Sequence, residues 1–187
     1  MKIIRFYILI FYTLFIFAYS SAMAYEEANY EVLSINEVYE IRKYSDRLAV
    51  ETITTNQNNS FRKLFNYITG SNKTNEEIKM TTPVTQIEKE GEMTMQFYLP
   101  STYNMKNVPN PSRSDVKIVN IEGGYYAVIK YSGRASDKNF IKHKDILEKE
   151  LFKNNVLVLS QPIKATYNGP FTLPMFRRNE AMFKIKF

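Results

Sequence analysis

The last seven residues of the chain alternate between two sets of side chains, which is the spacing of a β-strand and not of a helix. One set is Ala181, Phe183, Ile185 and Phe187, and the other is Met182, Lys184 and Lys186. The sequence therefore predicts a final strand with one apolar face and one mainly polar face. Residues 92–99 alternate in the same way, and the chain has 14 Tyr and 13 Phe, which are residue types common in strands. This pattern indicates a protein rich in β-structure.

Two other stretches have the period of an amphipathic helix. The first has apolar residues at i, i+3, i+4 and i+7 and ends near Gly70; these residues are Phe61, Leu64, Phe65 and Ile68. The second starts after Ser136 and runs to about residue 154, with an apolar stripe of Phe140, Leu147 and Leu151.

The order of predicted elements is β-α-β-β twice, separated by a proline-containing linker over residues 101–115. Residues 38–44 also resemble residues 124–131 in the placing of their aromatic and aliphatic side chains, which supports a duplication. Two such halves predict an α+β fold, in which one antiparallel, barrel-like sheet is flanked by two α-helices. A cleft between the halves is a common place for a ligand.

A loop before the last strand combines apolar and basic side chains. Two arginines come directly after four large apolar residues, Phe171, Leu173, Met175 and Phe176. Exposed apolar groups beside fixed positive charge indicate the lip of a ligand pocket. The alternative is that the loop folds over the end of the sheet and closes its core.

The N-terminus has the composition of a secretory leader. Lys2 and Arg5 precede a charge-free apolar run over residues 6–19, and small residues lead to Ala24. The run is shorter than the roughly 20 residues of a membrane span. We therefore expect a signal peptide over residues 1–24, cleaved to release an exported, periplasmic or secreted domain over residues 25–187. An uncleaved N-terminal anchor is the alternative.

Composition excludes several classes of function. The chain has no cysteine, so it has no disulfide, no thiolate metal site and no cysteine nucleophile. Its net charge of +6 is spread among mixed lysines and glutamates, so nucleic acid is not an expected partner. A single histidine and the lack of a glycine-rich phosphate loop argue against an enzyme. Among the acidic groups, Glu180 is the first candidate for a general acid or base.

Seven short segments, in order along residues 30–187, resemble the SOUL haem-binding protein family. They are YEIRKY (39–44), FRKLFNYI with GSN (61–72), IKMTTPVT (78–85), FYLPS (97–101), YSG (131–133), YN (167–168) and RRNE (177–180). The resemblance implies a duplicated βαββ unit that closes a distorted antiparallel β-barrel. It also implies a non-enzymatic protein that binds haem or another tetrapyrrole.

The resemblance also suggests how the ligand would be bound. Some members of the family carry an axial histidine where this chain has Lys43, and the only histidine here, His143, lies in the second helix. Both are weak candidates for a metal ligand, so we expect no strong axial protein ligand. The macrocycle would instead pack in a hydrophobic cleft beside the first helix, on Phe61, Phe65, Met80, Leu173, Met175 and Phe176. The propionates would pair with basic side chains, from Arg62, Lys63, Arg177 and Arg178.

A second hypothesis keeps the fold and changes the function. Duplicated βαββ barrels resemble the effector-binding domains of bacterial transcription regulators, some relatives of which bind cationic drugs or act as hydrolases. An acidic residue deep in an aromatic pocket would favour that function. Basic groups at the mouth of an apolar pocket would favour haem.

Overall fold

The structure, a computed structural model, describes residues 25–55 and 57–187. The predicted leader lies outside the described residues, so its cleavage stays a prediction. The helices are α1 (Gln57–Ile68) and α2 (Asp137–Lys153), and a 3-10 turn covers Pro174–Phe176. The strands are β1 (Glu26–Glu27), β2 (Tyr30–Ile35), β3 (Glu40–Tyr44), β4 (Arg47–Thr54), β5 (Thr81–Thr82), β6 (Val84–Lys89), β7 (Glu92–Tyr98), β8 (Lys117–Ile121), β9 (Gly124–Tyr131), β10 (Ile163–Thr166) and β11 (Asn179–Ile185).

Nine of these strands form one antiparallel sheet that curls into a half-barrel, in the order β2-β3-β9-β11-β10-β6-β7-β4-β8. The predicted duplication is confirmed in this order. One unit is β4-α1-β6-β7 and the other is β9-α2-β10-β11, and each places its last strand between its first two. The units meet where β6 pairs with β10.

Each unit also pairs with the strand that precedes the other unit in sequence. β3 leads into β4 but pairs with β9, and β8 leads into β9 but pairs with β4. The resemblance between residues 38–44 and 124–131 was therefore misleading as a sign of equivalence. Those segments belong to neighbouring strands, β3 and β9, whereas β4 and β9 are equivalent by their order in the two units.

The two helices cover separate parts of the sheet. Leu147 and Leu151 of α2 are fully buried against β9 and β11, at a cluster that includes Ile129 and Phe183. The α1 cluster is built in the same way, from Leu64, Tyr67, Ile68, Val50, Met95 and Phe97. A third cluster contains Tyr44, Tyr126, Val128, Ala165, Tyr167 and Met182. All buried members of the three clusters lie between residues 39 and 185, so residues 25–187 contain the three cores.

The predicted polar face of the last strand is wrong at Met182. This side chain is only 3% exposed, because β11 lies between β9 and β10 and clusters cover both of its faces. Phe187 lies beyond the end of the strand and is exposed. Strict alternation in sequence therefore did not distinguish a central strand from a half-exposed one.

The predicted linker packs against the first unit. The hydroxyl of Tyr67 donates a 2.7 Å hydrogen bond to the carbonyl of Pro109, and Asn72 forms a bridge with Pro111. Val108 is buried in the α1 cluster. These contacts fix the connection between the two units to the end of α1.

Candidate functional site

An apolar groove of about 530 Å³ lies between α1, the β5–β6 region and residues 166–170. Its size is within the usual range for a small-molecule site. Most of its surface comes from apolar or aromatic side chains, including Phe61, Phe65, Met80 and Val84. Two other depressions of about 590 and 600 Å³ are lined by many charged and polar groups. The groove is therefore the best of the three for a large apolar ligand.

The geometry of α1 explains why two phenylalanines face the groove. The helix buries Leu64, Tyr67 and Ile68 against the sheet, and Phe61 and Phe65 lie one turn apart at the edge of that buried stripe. They are 43% and 45% exposed, and their rings stack with centroids 6.0 Å apart. Phe61 also packs edge-on against Phe97, 5.2 Å between centroids, which fixes the pair as one wall of the groove.

Two basic side chains also line the groove, and one is already neutralised. Lys164 is buried on β10, and its Nζ is 2.8 Å from Oδ1 of Asp137. Arg177 donates from Nε to the carbonyl of Thr172 and from Nη2 to that of Pro170. Its Nη1 makes no hydrogen bond or ion pair with another described residue, so it can bind an anionic group of a ligand.

The structure brings four of the ten predicted ligand-binding residues to this groove: Phe61, Phe65, Met80 and Arg177. The other three basic candidates lie elsewhere. Arg62 is exposed on α1 and contacts Asn59, and Lys63 pairs with Asp115 at 2.9 Å. The side chain of Arg178 donates to Glu180 and belongs to the buried network around that residue.

The other three predicted apolar contacts, Leu173, Met175 and Phe176, point outward. They and Phe171 form an apolar loop, residues 171–176, whose side chains are exposed. The loop adjoins the groove at both ends, because Pro170 and Arg177 line it. The alternative in which this loop closes the core is therefore wrong, since the four large side chains are not part of any buried cluster.

Glu180 is fully buried and surrounded by hydrogen-bond donors. Arg42 donates to its two oxygens over 3.0 and 3.1 Å, Arg178 donates from Nε over 3.0 Å, and the hydroxyl of Tyr167 donates over 2.8 Å. Arg42 is also bonded to Glu40, which accepts from Lys130. The acid that the effector-binding hypothesis needs is thus already paired.

The network changes the pKa values of its members. Burial alone would lower the pKa of Arg42, but the hydrogen bonds and charge of Glu180 outweigh burial and raise that pKa. Burial, together with the nearby Glu180 charge, raises the pKa of Tyr167 far above its usual value. Arg42 and Tyr167 therefore keep their protons at neutral pH, and their bonds to Glu180 form a buried structural network.

Neither weak candidate for a metal ligand lies in the groove. Lys43 is exposed on β3, in the register position opposite Tyr125. His143 stacks on Tyr131 with centroids 4.1 Å apart, and its Nδ1 lies 2.8 Å from the carbonyl of Asn139. Among the described residues, no group of three or more His, Cys, Asp or Glu side chains could bind a metal ion.

Among the groove residues that sequence reasoning did not identify are Tyr167 and Lys164. Tyr167 lies within one of the family-like segments, but its role as a wall depends on β10 pairing with β6 across the two units. For Lys164, the only local indication was its position between Ile163 and Ala165 in a short strand. Its burial depends on Asp137, 27 positions earlier.

The fold and the groove define a class of protein: a duplicated βαββ half-barrel with an apolar site beside its first helix. The chain belongs to the SOUL haem-binding protein family, whose description is "SOUL heme-binding protein" and whose profile matches residues 25–184. Comparison with curated protein sequences finds no match. Across the described residues, no helix is long and apolar enough to cross a membrane.

Solved structures with the same fold share little sequence with this chain. The C-terminal domain of EcmrR has 11% identity and a TM-score of 0.61, over 84% of this chain and 98% of that one. A hydrolase from Listeria innocua has 9% identity and a TM-score of 0.58, over 82% and 94%. An uncharacterized conserved protein from Listeria innocua has 10% identity and a TM-score of 0.56, over 88% and 94%. At these identities the likeness concerns the fold alone.

Proposed function

We propose that this chain is a non-enzymatic carrier, buffer or scavenger that binds haem or another tetrapyrrole in the groove beside α1. The observation that carries the proposal is the stacked pair of Phe61 and Phe65, half exposed at the wall of an apolar groove with Arg177 at its edge. Large flat aromatic ligands pack well against aromatic rings. The family to which the chain belongs is consistent with this ligand.

The charged groups at the groove suit the carboxylates of a tetrapyrrole. Arg177 lines the groove and has an unpaired Nη1 among the described residues, whereas Arg62 is exposed on α1, one residue after Phe61, and does not line the groove. Lys164 contributes less, because Asp137 already neutralises it. The propionates would therefore pair mainly with arginine, which binds carboxylates with well-defined geometry.

The donor set of the groove favours binding through the macrocycle and not through a strong axial bond. Its lining contains neither histidine nor cysteine, and its only sulfur belongs to Met80. The hydroxyl of Tyr167 is committed to Glu180. The groove residues would hold a haem through its macrocycle and its carboxylates, and the haem would supply its own iron chemistry. We also propose that the protein is exported, on the basis of residues 1–24.

The test is an absorbance titration of residues 25–187 with ferric haem, since this fragment contains the three cores. We expect saturable one-to-one binding that the double variant Phe61→Ala, Phe65→Ala weakens at least about tenfold, because each buried phenylalanine contributes about 1.5–3 kcal/mol. Phe152→Ala is the matched control, since Phe152 is exposed at the end of α2. The dimethyl ester of haem has no propionate charge, so comparing its affinity with that of haem tests the proposed pairing of the propionates with arginine.

Two results would count against the proposal. Equal affinities for the double variant and for Phe152→Ala would place the ligand outside this groove. No saturable binding by the unmodified fragment would remove the haem function altogether. The effector-pocket or hydrolase-like function would then be the next hypothesis to test, although the pairing of Glu180 with two arginines gives it no support.

A further inference from the structure

The apolar loop presents four large side chains to solvent on one short segment. Phe171 is 99% exposed, and Leu173, Met175 and Phe176 are each more than half exposed. Isolated exposed apolar residues are common, but a concentration on one loop marks an interaction surface. The loop also adjoins Phe61 and Phe65 through the groove, so the apolar surface extends onto α1.

Hydrogen bonds fix the loop in this outward conformation. Within it, the amide of Thr172 donates to Gly169 and the amide of Phe176 donates to Leu173. The side chain of Arg177 donates to the carbonyls of Pro170 and Thr172 over 2.6 and 2.7 Å. From outside the loop, the amide of Gly133 donates to Pro174 over 2.8 Å. A loop with this many backbone bonds is a rigid projection and not a flap that folds back over the groove.

The charge around the loop is positive. Three segments border the groove or the loop: residues 57–68, 132–136 and 167–178. None contains an aspartate or glutamate, and together they carry five basic residues, of which Lys63 and Arg178 pair with acids from other segments. The other three, Arg62, Arg134 and Arg177, form no ion pair with another described residue. The acids that lie nearby are engaged, since Glu27 pairs with Arg178 and Glu26 accepts from the amide of Ser101.

Apolar side chains that project from a basic surface have the chemistry that binds the interface of an anionic membrane. The apolar groups enter the boundary between headgroups and acyl chains, and each nearby unpaired lysine or arginine adds electrostatic attraction to anionic lipid. We propose that the apolar loop docks this protein on the surface of an anionic phospholipid bilayer, with Phe171 and Phe176 inserted. The occupant of the surface is lipid, and the protein does not span the bilayer through it.

The start of the described chain is compatible with this orientation. Tyr25 lines the same groove, so the chain enters the fold beside the docking surface. In sequence, five residues separate the charge-free apolar run over residues 6–19 from Tyr25. The groove would also open towards the membrane, from which an apolar ligand could be collected. The docking itself does not depend on the proposed haem function.

Vesicle co-sedimentation without haem tests the docking surface. Residues 25–187 should bind vesicles of phosphatidylcholine mixed with phosphatidylserine and should bind pure phosphatidylcholine at least tenfold more weakly. The double variant Phe171→Ser, Phe176→Ser should lose at least tenfold in affinity for the anionic vesicles. Phe152→Ser is the matched control, because it removes an equally exposed phenylalanine from the far end of α2 and should bind like the unmodified fragment. Circular dichroism checks that each variant is folded.

Three outcomes would overturn the proposal. The loop variant could bind anionic vesicles as tightly as the unmodified fragment, or Phe152→Ser could lose as much affinity as the loop variant. In the third, the unmodified fragment binds pure phosphatidylcholine as tightly as the anionic vesicles. Failure of the haem titration alone leaves the vesicle experiment unaffected, because that experiment contains no haem.

Discussion

Arg42 and Glu180 lie 138 positions apart in the chain and are joined by two parallel hydrogen bonds of 3.0 and 3.1 Å, with both side chains fully buried. Arg42 belongs to β3, which precedes the first unit, and Glu180 belongs to β11 of the second unit. The pair therefore ties β3 to β11 of the second unit across the intervening strand β9. Tyr44 and Tyr167 add hydrogen bonds to the same pair.

Replacing Glu180 with glutamine should destabilise the protein strongly. The change removes the two-bond carboxylate partner of the buried Arg42 and leaves Glu40, bonded to Nε, as its remaining carboxylate partner. Breaking a buried ion pair in this way costs about 3–5 kcal/mol. Urea unfolding followed by circular dichroism measures the loss. Glu148→Gln is the control, because Glu148 pairs with Lys144 on the exposed surface of α2 and should cost at most about 1 kcal/mol. A loss below 1 kcal/mol for Glu180→Gln would contradict the structural role of the pair.

The local parts of the fold could be predicted from sequence because their determinants are close together in the chain. Ser136 caps α2 by accepting from the amide of Asn139, and Leu147 and Leu151 lie on the predicted stripe, fully buried. The strand over residues 92–98 follows directly from its alternation. These features depend on neighbours within a few residues.

The parts that sequence did not predict depend on distant partners. Glu180 was a candidate acid because the local sequence gives no information about its partner Arg42. The face of the last strand that carries Met182 was expected to be mainly polar, because the cluster that covers this residue comes from other strands. The candidate site shows the same division. Phe61 and Phe65 follow from helical spacing, whereas the outward direction of Phe176 depends on Arg177 and Pro174.

The protein should lose stability as the pH rises from about 10 to about 12. Burial raises the pKa of Tyr44 from its usual value of 10.0 to about 12. In this window the unfolded chain has released the tyrosine proton and the folded chain retains it, so the folded state loses about 1.4 kcal/mol per pH unit for this group. Tyr44→Phe should reduce the slope by that amount, as measured by urea unfolding at several pH values. An unchanged slope would exclude Tyr44 as a contributor.

Gly123 should not tolerate a side chain, because the turn between β8 and β9 packs closely against the turn between β3 and β4 at this position. A Cβ atom at this position would lie 2.4 Å from the carbonyl oxygen of Tyr44 and 2.8 Å from the carbonyl carbon of Ser45. We expect Gly123→Ala to cost about 1–3 kcal/mol by displacing the turn between β3 and β4. Thermal and urea unfolding measure this cost.

Gly169→Ala is the matched control for Gly123→Ala. A Cβ atom at Gly169 would have no neighbour within 4 Å, so alanine should be neutral or slightly stabilising there. Equal effects at the two positions would show that the contact between the turns does not restrict Gly123.

His143→Ala should leave the absorbance spectrum and affinity of bound haem unchanged and should reduce stability. The histidine does not line the groove, and its ring stacks on Tyr131 at 4.1 Å with an interplanar angle of 5°. Because a carbonyl oxygen only accepts, Nδ1 carries the proton that it donates to Asn139. Losing the stack and this bond should cost about 1 kcal/mol. Met80→Leu is the companion variant, since it keeps the apolar contact and removes the only sulfur of the groove. A Soret band that moves in His143→Ala but not in Met80→Leu would place the iron at α2 and contradict the groove beside α1.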